Sequence, residues 1–159
     1  MNSIYPFFKW VDETWLSQVI NNSKWLFPAI EGVHIVALAL LFGSVIILNL
    51  RLLGIGVRQR PASELLEELQ PWVFSSLVVI LTTGVLLFAA EATKSFRSTP
   101  FRIKMVLLVT AVAFHYLVSQ RIVSRDGVYA HPALTKSAAV FAIALWVSVG
   151  FAGRAIGFF

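Results

Sequence analysis

Chemistry in this chain would fall to a few polar groups set in apolar sequence. Three histidines occur, His34, His115 and His131. Four further ionisable residues, Glu31, Glu91, Lys104 and Arg154, stand within or at the edge of long apolar runs. A titratable group in hydrocarbon is costly and usually faces the interior of a bundle with a role to perform. Glu31 and His34 are three apart, so on a helix they share a face. Lys104, Leu108, Ala111, His115 and Ser119 follow a four- and three-residue spacing and also share one. Imidazole is a metal or haem ligand, so His34 and His115 are the candidate metal and cofactor ligands. Glu31 and Lys104 are the candidate catalytic groups. His131 precedes Pro132 in a loop and reads as a solvated residue. The chain has no cysteine. Disulfides, thiolate metal sites, iron–sulfur clusters and cysteine nucleophiles are therefore excluded.

The elements that must position these groups follow from hydropathy. Of 159 residues, 58% are apolar and 13% charged, about half the charge of an ordinary soluble domain. A bilayer core needs about 20 apolar residues per helix. Four such runs are present, at about 27–56, 71–92, 100–124 and 134–158. They are too long and too continuous for barrel strands, which alternate. An all-α membrane protein is predicted, a four-transmembrane-helix antiparallel bundle over residues 26–159. Residues 1–25 place Ile4, Phe8, Val11, Trp15 and Val19 at helical spacing with polar residues between, which predicts an amphipathic helix lying in the interface. Trp10, Trp15 and Trp25 suit an aromatic belt. The segment SELLEELQ, between Pro61 and Pro71, reads as a further short interfacial helix, with Pro71 opening the second span. Small residues recur at Ser76, Thr83 and Ala90 and at Ala144, Ser148 and Ala152, with Gly153 and Gly157 forming a GxxxG; helix packing accounts for these.

We call the membrane face nearest the N-terminus side A and the other side B. Helical rise places Glu31, His34, Glu91, Lys104 and Arg154 in one layer near side A. His115 falls nearer side B, about 12 Å from His34 in depth, which argues against both imidazoles ligating one iron. Side A carries Lys9, Lys24, Lys94, Arg97, Arg102, Lys104 and Arg154. Side B carries Arg51, Arg58, Arg60, Arg121, Arg125 and Lys136. Without the embedded Lys104 and Arg154, the balance leans toward side B being cytoplasmic. The net charge of +5 is scattered and carries no nucleic-acid motif, so it speaks to orientation and anionic lipid.

The segments IEGVHIVALALLFGSVIILNLRLLG and FRIKMVLLVTAVAFHYLV resemble the first and third helices of the bacterial membrane-bound protoporphyrinogen oxidase family. His34, Lys104 and His115 match that family's early histidine, third-helix lysine and later histidine–tyrosine pair, here in the order His115-Tyr116. The same helices are similar to the copper-resistance D-type membrane family. The motifs Trp25-x-Phe27-Pro28-x-x-Glu31-x-x-His34, Leu50-Arg51-Leu52-Leu53-Gly54 and Ala152-Gly153-Arg154 also resemble an uncharacterised bacterial four-helix membrane family. The oxidase resemblance implies haem b, with His34 as iron ligand and Lys104 as a functional cation that could pair with a propionate. Arg154 or Arg102 would take the other propionate. A bacterial inner-membrane location is also implied.

Three functions compete. The leading expectation is a haem b redox protein that moves electrons or oxidises a small lipophilic substrate, with a quinone or a redox protein as partner. The alternative is a haem-free membrane subunit or scaffold that binds lipid, a partner protein or a second copy of itself. The third is metal or proton-coupled transport through His34, Glu31 and His115. With only two methionines and no cysteine, the composition offers little to copper.

Overall fold

The computed structural model describes residues 5–56, 60–119, 121 and 132–155. Among these, every regular element is helical. In chain order they are α1 (Tyr5–Asp12), α2 (Trp15–Asn22), α3 (Leu26–Leu53), α4 (Ala62–Ala90), α5 (Ala92–Arg97) and α6 (Thr99–Phe114). A π-helical turn (His115–Ser119) prolongs α6, and α7 (Pro132–Ala155) follows. Helices α3, α4, α6 with its π-helical extension, and α7 are each long and apolar enough to cross a membrane. The protein is an all-α integral membrane bundle.

Local chemistry sets the ends. Helix α3 closes on Gly54, whose φ of 80° is a left-handed conformation that glycine adopts without a Cβ penalty. The Gly54 N–H reaches Arg51 O at 3.0 Å, and the Ile55 N–H reaches Leu50 O at 2.9 Å. These two bonds form a Schellman cap, so the Leu-Arg-Leu-Leu-Gly motif is a helix stop. Ser98 caps α6, its hydroxyl accepting from Phe101 N.

The second span corrects the sequence reading. No separate interfacial helix precedes Pro71, because α4 runs unbroken through it for 29 residues. That length rises about 43 Å, more than the 30 Å hydrocarbon core. The first turns, with exposed Glu64, Glu67 and Glu68, therefore stand out at side B. Pro71 is exposed there, where the carbonyl it leaves without an N–H partner can be hydrated.

The N-terminal segment is likewise two helices. Thr14 ends α1 and caps α2, accepting from Ser17 N. Trp10, Trp15 and Trp25 are strongly exposed, as an aromatic belt requires. Ser17 and Ile20 are the buried positions of α2. Long-range bonds pin this strap to side A. The Asp12 carboxylate accepts from Ala92 N at 2.8 Å and Thr93 N at 3.1 Å, supplying the N-terminal cap that α5 lacks locally. Asn21 Nδ2 donates to Ala90 O at 2.8 Å, satisfying a terminal carbonyl of α4. Arg97 lies over the Tyr5 ring, 5.3 Å from its centroid.

Helix α3 packs against both α4 and α7, and α7 packs against α6. The principal core joins Ala37, Leu41, Val45, Leu77, Ile80, Leu108, Ala111, Leu145 and Trp146. A smaller cluster near side B joins Leu48, Leu52, Ala62, Leu66 and Ala139. The outward faces carry Val33, Val36, Val85, Val106 and Phe151, all exposed. In a bilayer these meet lipid, at no cost in apolar exposure.

Candidate functional site

The site is built on α3 and α4. His34 is 7% exposed, and its Nδ1 lies 2.7 Å from the Thr83 hydroxyl across the helix pair. The Thr83 hydroxyl has one proton, and it lies 2.6 Å from Val79 O, the carbonyl four residues back. With that proton committed to the carbonyl, Nδ1 is the donor and Thr83 Oγ1 the acceptor. In the neutral ring this leaves the Nε2 lone pair available. A second group that fixes imidazole tautomer and orientation is the usual support of a ligating histidine. Gly84 adds backbone beside the ring: a Cβ there would lie 3.5 Å from His34 Cε1.

Lys104 approaches from α6. It is half-buried, and its stem crosses Gly153 of α7, where a Cβ would lie 3.6 Å from both Cε and Nζ. It is near enough to His34 for the two side chains to interact electrostatically. The Lys104 stem thus lies within van der Waals reach of the Ala-Gly-Arg segment of α7.

The other members of the expected layer are placed differently. Glu31 is exposed, although it is three residues from the buried His34. Residues three apart on a helix are offset by about 60°, and near the helix end that is enough to carry Glu31 out of the packed interior. Arg154 and Arg102 are exposed as well. Glu91 ends α4 and pairs with Lys94 of α5 at 3.3 Å. Only His34 and Lys104 turn inward. His131 lies outside the described residues, as does Gly157. Ser76, Thr83 and Ala90 are buried, whereas Ala144 and Ser148 face outward.

His115 is inward-facing, as the α6 spacing predicts, with Leu108 and Ala111 buried beside it. It is 2% exposed. Among the described residues, neither ring nitrogen has a hydrogen-bond partner. An unpaired buried polar group costs about 1–3 kcal/mol, so this ring calls for an explanation. It does not share the His34 site. Lys104 and His115 are separated by about 16 Å of rise. Leu41, Leu77, Leu108, Ala111 and Leu145 fill the core cluster between those levels. Among the described residues, no group of three His, Cys, Asp or Glu side chains could hold a metal ion, so His34, Glu31 and His115 do not form a joint centre.

Sequence reasoning treated Thr83 as a small packing residue and passed over Asn49. Asn49 is fully buried, donates from Nδ2 to Val45 O at 2.7 Å, and leaves Oδ1 without a partner. The signal was present: a lone amide inside the apolar run VIILNLRLL, and a hydroxyl seven residues from the end of α4. A separate cavity of about 1040 Å³ opens at side A beneath the N-terminal strap, lined in part by Asp12, Asn21, Lys94, Arg97 and Ile103.

No curated protein and no solved structure matches the chain. One family does, over residues 7–159, and its description is a family of unknown function. The chain belongs to that family, DUF6644, whose matched region takes in all four spans together with His34, Thr83, Lys104 and His115.

Proposed function

We propose that the protein is a haem b protein of the bacterial inner membrane, with Nε2 of His34 as the ligand it offers to iron. The observation that supports this reading is the His34–Thr83–Val79 relay of hydrogen bonds, which orients a buried imidazole and frees its second nitrogen. The residues present suit a porphyrin. Ala37 and Ile80, one turn from His34 and Thr83 on their own helices, are buried and apolar. Lys104 supplies an ammonium for a propionate, and Arg102 and Arg154 stand at the same end of the bundle. Bound haem would supply one-electron chemistry. The chain's own part is to ligate, to orient and to keep water from the ring. A quinone or a redox protein is the electron partner this reading implies. The resemblance of α3 and α6 to a haem-containing family points the same way.

The test is the absorption spectrum of protein purified from haem-replete cells. A Soret band with a reduced α-band is expected. A colourless preparation without porphyrin by pyridine haemochrome assay overturns the proposal.

A second reading has its own observation. The large interfacial cavity joins Lys94 and Arg97 to apolar Ile103 and Pro100, which suits an amphiphile such as a lipid and a haem-free scaffold role. Co-purification of stoichiometric lipid with colourless protein would favour it.

A further inference from the structure

Three aromatic rings stand over the His34 site on its side-A flank. Phe8 of α1 meets Phe88 of α4 edge-on, with centroids 5.9 Å apart, and Phe88 stacks on Phe101 of α6 at 5.5 Å. Phe88 lies one turn beyond Gly84, whose backbone borders the His34 ring. Phe101 lies three residues before Lys104. Helix α4 runs toward side A and α6 runs away from it, so both rings stand between the His34–Lys104 pair and the side-A surface. Helices α4 and α6 are not a closely packed pair, and at this level the stacked rings bridge them.

The three rings are not held equally. Phe88 and Phe101 belong to membrane spans, whereas α1 has no buried side chain and Phe8 is half-buried. The polar attachments of α1 are part-buried or exposed: Asp12 to the α5 N–H groups, and the Tyr5 hydroxyl to Arg97 at 3.3 Å. A segment with little buried surface and accessible hydrogen bonds belongs to the low-stability part of a fold and opens locally. The cavity of about 1040 Å³ lies under this same strap, with Asp12 and Asn21 in its wall. Pro100 also lines it and shares a helix face with Lys104, four residues on, so the cavity leads toward the site. The acids in the wall are already engaged, Asp12 by α5 and Glu91 by Lys94. Arg97, seated over Tyr5, has further N–H groups to offer an anion.

We propose that Phe8 is the movable ring of an aromatic gate, and that the cavity under the strap is the vestibule through which a lipophilic acid, the class that includes haem, passes from the side-A interface to His34 and Lys104. Undocking of α1 withdraws Phe8 and lets Phe88 and Phe101 part. The acidic end of the ligand meets Arg97 in the vestibule and Lys104 within, as charge-assisted bonds, while its apolar body passes the rings. Movable segments that admit a ligand and then exclude water are a common device. The proposal rests on the reading of His34 and Lys104 as a ligand site, and its test is free of haem.

The cysteine-free sequence allows that test. Lys104→Cys places a single thiol at the site, and its rate of labelling by a charged methanethiosulfonate reagent is measured on haem-free protein in lipid nanodiscs. Adding Phe8→Ala should raise the rate at least several-fold, and adding Asp12→Ala, which loosens the strap, should raise it less. A single thiol at the other histidine, His115→Cys, should label at the same rate with and without Phe8→Ala. An unchanged Lys104→Cys rate in the Phe8→Ala background would overturn the gate, as would a parallel rise at His115→Cys, which marks general loosening. A protein that never binds haem would sink the haem proposal, while the labelling rates would still decide the gate.

Discussion

The two inward histidines, His34 and His115, are the same residue in similar burial with opposite surroundings. His34 has one nitrogen held by Thr83, beside a half-buried lysine and next to a glycine backbone. His115, in a π-turn, has no partner on either nitrogen among the described residues. The first arrangement fixes a tautomer and presents a lone pair, as a ligand must. The second leaves both nitrogens uncommitted among the described residues. Burial alone therefore does not mark a ligand; what distinguishes these sites is which nitrogen is already committed.

The comparison breaks most severely if the layer between the sites is opened. Trp146→Ala removes a buried ring from that core and should cost about 3–5 kcal/mol in thermal unfolding of the detergent-solubilised protein. It should also increase water access to both histidines. An unchanged melting temperature would show that the two sites are not separated by a packed layer.

The orientation of His34 is tested at Thr83. Thr83→Val keeps the shape and removes the acceptor for Nδ1–H. Haem affinity, measured by titration of the apoprotein, should fall by about 10- to 100-fold, with recovery in Thr83→Ser. Lys104→Met should weaken haem by about tenfold through loss of a charge-assisted bond, with the His34 signals still present. The smallest effect is expected at the strap. Asp12→Ala leaves two α5 N–H groups unmet and should cost about 1 kcal/mol, read as earlier proteolysis of the N-terminal helices with the haem content unaltered.

Much of the fold was legible in the sequence. Four spans were readable because 20-residue apolar runs have few alternatives. The Lys104–Leu108–Ala111–His115 face was readable because helical spacing brings those residues onto one stripe. Pro71 misled, because proline usually opens a helix in soluble surroundings. At a membrane edge the freed carbonyl finds water and the helix continues. The polar layer was legible in height and not in direction. Rise per residue gives depth, but whether Glu31, Glu91 or Arg154 points in or out depends on how the neighbouring helices pack. The Thr83 and Asp12 contacts join residues 49 and about 80 positions apart, beyond any local pattern.

The central claim is that His34, and not His115, is the ligating histidine. The direct measurement is the haem-to-protein ratio of His34→Ala and His115→Ala, purified in parallel and checked for folding by thermal unfolding. The account predicts that His34→Ala folds and loses haem while His115→Ala retains the wild-type ratio. Retention of haem by folded His34→Ala, with loss in His115→Ala, would contradict it.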